Sequence, residues 1–227
     1  MIFDVKMGEG FRCKARLVAG GYKTKTPAAL TYSSVVSRDS VHIAFLVAAL
    51  NDLQVLACDI QNAYLSAPCR EKIWTRAGPE FRTEKGKIMI VKMALYGLKS
   101  SGADFRSILA NQLHEMNYVP TKADLDVWLR PAVKLDGFEY YEMVLCYVND
   151  ILCVLHKPLD TMESISKTFT LKDNKVEPPD IYLGAKIWKI STSNGANCWT
   201  MSPEEYCCAA VKNVVERISK IRLQLPK

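Results

Sequence analysis

The chain has 227 residues, 49% apolar and 24% charged, with a formal net charge of +6. This is an ordinary globular mixture. A chain of this length buries roughly 70% of the surface its unfolded form exposes, which excludes a disulfide-stapled miniprotein and a disordered tail. The longest apolar run, 41–50, is broken by His42 and falls well short of the ~20 residues a membrane span needs. The first residues show no basic-then-apolar leader, so no secretion signal is expected. Eight cysteines without a C-x-x-C pair and three scattered histidines offer no zinc spacing. Reduced thiols and an intracellular location, cytoplasmic or nuclear, are expected. The charge is uneven: residues 1–38 carry a net +5, residues 205–227 a net +3, and the middle a net −2. Basic ends around an acidic centre suit a polyanion gripped from two sides with cations between; chance segregation of solvated charges gives the same pattern.

In chain order, 11–19 reads as a basic strand closed by Gly20-Gly21. After a loop around Pro27, 41–50 reads as an apolar helix capped by Ser37 or Asp39. Residues 53–58 form a short strand of the fully buried kind, ending at Asp59. Strands are expected at 72–75 and 87–93 around a Gly/Pro loop. The spacing of Phe105, Ile108, Leu109, Leu113 and Met116 predicts a helix over 102–117. A short strand at 127–129 is stopped by Pro131. Runs at 138–147 and 151–155 predict a hairpin with an Asn149-Asp150 turn. A helix at 162–169 and a strand at 181–190 follow. Ser202-Pro203-Glu204-Glu205 reads as a capping box opening a helix to about Ile218. Without repeats or a long linker, a single α+β domain with an antiparallel sheet is expected over 1–227.

Asp59 ends a buried strand and Asp150 sits at a buried hairpin's tip, where a carboxylate escapes the desolvation cost of the core. On neighbouring strands the two could share Mg²⁺, which binds through one or two carboxylates plus substrate phosphates. Strand-end and turn aspartates are also common for purely structural reasons.

Several ordered blocks surround these positions: Lys14-Ala15-Arg16-Leu17-Val18-Ala19-Gly20-Gly21, Asp59-Ile60-Gln61-Asn62-Ala63-Tyr64-Leu65, Ala94-Leu95-Tyr96-Gly97-Leu98-Lys99-Ser100-Ser101-Gly102, Tyr147-Val148-Asn149-Asp150-Ile151 and Ile181-Tyr182-Leu183-Gly184. In kind and order they resemble the reverse transcriptase domain of copia-type retrotransposon polyproteins. The resemblance implies a right-hand polymerase palm, with an antiparallel sheet and helices on one face, partial fingers at 1–38, a palm with inserted fingers segments over 39–190, and the start of a thumb over 191–227. It implies RNA-directed DNA polymerase activity on a primer with an RNA or DNA template, using deoxynucleoside triphosphates and two Mg²⁺ (or Mn²⁺) ions. Asp59, the Ile60 carbonyl and Asp150 would hold the metal. Tyr64 would lie beneath the incoming sugar, with a core aromatic as the rival reading. Arg16 and Lys14 would reach the triphosphate, or else form a solvated strand face. Tyr96 and Gly97 would line the nucleotide side. Lys99, Ser100, Ser101, Tyr147, Leu183 and Gly184 would meet template or primer. Lys172 or Lys175 would approach the leaving pyrophosphate.

One position departs from the family pattern. Asn149 stands where the family has the first of two aspartates, beside the catalytic Asp59 and Asp150. It removes one negative charge from a site that must hold two divalent cations. Together with truncation at both ends, this leads to an expectation of impaired primer extension. A non-catalytic nucleic-acid-binding remnant is the alternative.

Overall fold

A computed structural model describes residues 2–6, 12–28, 31–193, 195 and 197–220. Phe11, Arg222 and Lys227 lie outside the described residues, as do the side chains of Lys14 and Lys220. Two strands, β1 (Ile2–Lys6) and β2 (Arg12–Arg16), form an antiparallel ribbon, with Asp4 opposite Lys14 in register. Helix α1 (Arg38–Leu50) starts where Ser37 Oγ accepts the Ser40 backbone N–H at 3.1 Å, which selects Ser37 as the cap. Strand β3 (Gln54–Asp59) follows directly. The pair β4 (Trp74–Arg76) and β5 (Ile88–Ile90) makes a second small ribbon. Next come α2 (Ser101–Glu115), β6 (Val119–Pro120), β7 (Val127–Val133), β8 (Glu139–Tyr147), β9 (Asp150–Leu155) and α3 (Pro158–Thr168). The chain closes with β10 (Ile181–Tyr182), β11 (Ala185–Ser191), β12 (Asn197–Ser202) and α4 (Glu204–Lys220).

The central sheet is antiparallel in the order β3-β9-β8-β7-β6, so the fold is α+β as expected. Its helices are not confined to one face. Five consecutive residues of β9, Ile151 to Leu155, are buried, and a strand buried on both sides needs cover on both. Ile151, Cys153 and Leu155 point to a core shared with Phe105, Leu109 and Leu113 of α2 and Met162 and Ile165 of α3. Leu152 and Val154 point the other way, to Val41, Ala44, Phe45 and Ala48 of α1 and to Tyr182 and Ile187. Phe45 stacks on Trp199 at 5.9 Å, tying α1 to β12. The cysteines of the sheet, Cys58, Cys146 and Cys153, are buried as small hydrophobes.

Three strand expectations change. β7 runs on through Pro131, because β6 pairs only with its first residues and the missing N–H falls on a strand with a free edge. The strand expected at 181–190 is a hairpin folded at Leu183-Gly184, whose φ values of 52° and 72° suit a two-residue turn of the primed type. At the central hairpin, Tyr147 pairs with Asp150, so the turn is Val148-Asn149 and Asp150 is the first residue of β9. In place of the expected capping box, Ser202 Oγ accepts from Glu204 N at 3.2 Å, one residue short of Glu205, and the Glu205 side chain pairs with Lys186. Among the described residues no helix is long and apolar enough to cross a membrane.

Candidate active site

Asp59 at the end of β3 and Asp150 at the start of β9 are direct cross-strand partners, and Tyr147 of β8 is the next residue in the same row. Strand alternation puts this row on the face covered by α1 and β10–β12. The Val148-Asn149 turn is fastened to β3 twice. Asn149 O accepts the Ile60 N–H at 2.8 Å, and Asn149 Nδ2 donates to Asp59 Oδ1 at 2.6 Å. Val148 adopts φ 54°, an uncommon conformation for a β-branched residue and a local strain at the tip.

The second oxygen of Asp59 is also engaged. The segment after α3 runs along the outer edge of β3, with Gln61 N donating to Thr170 O at 2.9 Å and Ala57 and Glu177 exchanging backbone bonds. Between these ties a short turn, Lys172–Asn174, carries Lys172, whose Nζ donates to Asp59 Oδ2 at 2.8 Å. Lys175 instead approaches Glu177 at 4.0 Å. Asp59, Asp150, Lys172 and Asp173 line a cavity of about 380 Å³ together with Ile181 and Tyr182.

The electrostatics follow from this crowding. Burial, then the neighbouring Asp59 charge, raises the Asp150 carboxyl to about 6, against the pull of Lys172. The hydrogen bond to Asp59 raises Lys172. Burial, then the two aspartates, pushes the Cys58 thiol up to about 12, so it remains protonated. Asp150 has an ordinary value of 3.8, so between roughly pH 4 and 6 the folded chain holds more protons than the unfolded one. Its contribution to stability is full below that window and is lost as pH rises through it. In EDTA, Asp150→Asn is therefore expected to flatten the urea midpoint between pH 4 and 7 and to exceed wild type at pH 7.5. An unchanged pH slope in the variant would contradict this.

The residues fit one divalent cation: two hard carboxylates side by side, with main-chain oxygen nearby, of the kind Mg²⁺ takes beside substrate phosphates. Ile60 is only 1% exposed, so it could contribute through its main chain alone. A second ion would lack the carboxylate that Asn149 does not carry. Among the described residues no three His, Cys, Asp or Glu side chains gather into a metal-holding group.

The other expected site residues fall into two groups. Arg16 lies over the Tyr96 ring at 5.7 Å, and Tyr96 packs on Tyr64 at 5.0 Å, so the three form a relay from the β2 ribbon to the turn after β3. Tyr64 also meets the core ring of Phe105 edge-on at 6.3 Å, so it is in part a core aromatic. Tyr147 and Leu183 pack against the α1-side core, which brings the Leu183-Gly184 turn to the face of the two aspartates. The remaining residues make contacts within the chain. Ser100 Oγ donates to Glu71 at 2.6 Å and Ser101 Oγ to Leu95 O at 2.6 Å, both buried, so neither is open to a template. Lys99 Nζ bonds Thr24 O at 3.1 Å. A Cβ added at Gly97 would meet the chain's own Ala19 carbonyl, while the residue itself is exposed.

A family model described as reverse transcriptase (RNA-dependent DNA polymerase) matches residues 2–217. The chain belongs to this family. Among its relatives are Retrovirus-related Pol polyprotein from transposon TNT 1-94 of Nicotiana tabacum, 30% identical over 92% of this chain, and Retrovirus-related Pol polyprotein from transposon RE1 of Arabidopsis thaliana, 27% identical over 80% of it. The reverse transcriptase chain spans only 15% and 12% of those two polyproteins. Both are transposon proteins, in keeping with the copia-type resemblance of the motifs.

Proposed function

We propose that the chain is the template-directed polymerase part of a copia-type retrotransposon polyprotein. In this reading it adds deoxynucleotides to a primer 3′-hydroxyl on an RNA or DNA template, at a rate limited by Asn149. The observation that carries it is the pairing of Asp59 with Asp150 on adjacent strands, both lining one cavity. The central sheet with α2 and α3 reads as the palm, the β1–β2 and β4–β5 ribbons as fingers, and α4 as the start of a thumb. The cysteine pattern suits an intracellular compartment.

Divalent ions, when bound, lower the pKa of the attacking hydroxyl and offset charge on the attacking and leaving oxygens. Asp59 and Asp150 would hold such an ion beside the primer end. Arg16, steadied by Tyr96, meets the triphosphate, and the Tyr64 ring lies beneath the sugar, where a 2′-hydroxyl would clash. Lys172, swung off Asp59, offers an ammonium to the departing pyrophosphate. Asn149 keeps the hairpin folded but leaves the site one negative charge short.

A non-catalytic nucleic-acid-binding remnant is favoured by one observation, that both Asp59 oxygens are already satisfied within the chain. Both readings give binding to a labelled primer–template that weakens at least about tenfold between 50 and 200 mM salt. Template-directed incorporation with Mn²⁺, lost in Asp59→Ala, supports the enzyme. Salt-dependent binding without any incorporation supports the remnant, and no salt-dependent binding contradicts both.

A further inference from the structure

The Lys172 ammonium sits on Asp59 where a cation ligand would be needed, and this inference rests on the reading of Asp59 and Asp150 as that ligand pair. Asp59 has no unengaged oxygen: Asn149 Nδ2 takes one at 2.6 Å and Lys172 Nζ the other at 2.8 Å. The Asp150 side chain, by contrast, carries no hydrogen bond or ion pair among the described residues, although the charges of both Asp59 and Lys172 reach it. The reach of Lys172 is set by the backbone. Leu171 bridges Ile60, Thr170 accepts from Gln61, and Asp173 and Asn174 turn the chain away with φ of 54° and 50°. The ammonium is therefore delivered to Asp59 by the edge of the sheet, whereas Lys175, three residues on, faces Glu177.

We propose that Lys172 is a positioning residue that acts as a resident counter-ion. It holds Asp59 in the metal-free protein and competes with a divalent cation for the same oxygen. With Asn149 neutral, two carboxylates remain at the hairpin, and the Lys172 ammonium offsets one of them. The strands can then stay paired with no divalent ion present. Entry of an ion requires Lys172 to leave Asp59. The Lys172 side chain is 48% exposed and that of Asp59 31%, so the pair is solvent-screened and weak enough to be displaced. Once displaced, the ammonium has Asp173, Glu177 and Asp180 of the same cavity lining as alternative acidic partners.

The test is Mn²⁺ binding by the full chain at pH 7.5 and low salt, read from the electron paramagnetic resonance signal of free Mn²⁺. Lys172→Met is expected to bind Mn²⁺ about five-fold more tightly than wild type, the size of a removed exposed ion pair. Lys172→Arg, which keeps the charge, is expected to match wild type. In EDTA, Lys172→Met is expected to melt below wild type and to recover on adding Mn²⁺. Should the methionine variant not fold, Lys172→Gln carries the same comparison. Unchanged or weaker Mn²⁺ binding in the neutral variant, with wild type and Asn149→Asp both binding, overturns the counter-ion role alone. Absence of Mn²⁺ binding in every variant overturns it together with the metal-site reading beneath it.

Discussion

Gly97→Ala is expected to destabilise the fold by about 3 kcal/mol or more, the range of a substitution that combines a forbidden backbone conformation with a steric clash. Gly97 has φ 89°, and a Cβ there would stand 2.2 Å from Ala19 O and 2.8 Å from Val18 Cγ1. Neither neighbour can withdraw easily. Ala19 N donates to Tyr96 O at 2.7 Å, and Val18 bridges Tyr96 in parallel. The seam is reciprocal, because a Cβ at Gly21 would stand 2.0 Å from Gly97 O. Two glycines thus let the segment after β2 lie directly on the segment before α2, and this contact sets Tyr96 under Arg16. Gly86 is the internal control: its φ is 85°, yet a Cβ added there would meet no atom within 4 Å. Gly86→Ala is expected to lose only about 1 kcal/mol, from backbone conformation alone. Urea denaturation of both variants distinguishes the two cases, and equal midpoints would contradict the steric role of Gly97.

Much of the sheet is legible in the sequence because its signals are local. The apolar run from Ile151 to Leu155 marks a strand buried on both faces, Ser37 is a cap by its chemistry, and Asp59 ends β3 as the change from apolar to acidic suggests. The same run implies cover on both sides of the sheet, against the one-sided arrangement of helices drawn from the resemblance. β1 and β12 carry no such signal, since short polar-apolar strands acquire their meaning only from a partner, β2 and β11 respectively. Pro131 reads as a stop because the edge left free beyond β6 is a property of the sheet, not of the residue. The hairpin turn lies one residue earlier than expected, at Val148-Asn149 rather than Asn149-Asp150, since a valine at positive φ goes against its preference and is imposed by the strands.

The candidate site divides in the same way. Asp59, Asp150 and Asn149 can be named from their blocks, and the register brings them together. Lys172 stands out in sequence only as a partner for pyrophosphate; its bond to Asp59 joins residues 113 apart and has no local signature. Gly97, Ser100 and Ser101 read as substrate-facing because small residues look alike whether they make room for a ligand or for the chain itself. Here their neighbours are Ala19, Glu71 and Leu95.

Asn149→Asp is expected to raise Mg²⁺-dependent nucleotide addition by about 10²–10³, the usual size of one preorganised electrostatic group in an active site. The present amide does two things a carboxylate would not. It donates to Asp59 Oδ1, and it leaves the strand ends with two acidic side chains in place of three. An aspartate would turn that 2.6 Å hydrogen bond into a contact between like charges, a strain in metal-free protein that a divalent cation relieves. The variant should therefore gain more from Mg²⁺ than wild type does, both in melting temperature and in rate. The decisive measurement is the single-turnover rate of one-nucleotide primer extension in Mg²⁺, wild type beside folded Asn149→Asp. A variant faster by about a hundredfold or more, and silenced again by Asp59→Ala, is the expected result; a variant no faster than wild type would contradict the account.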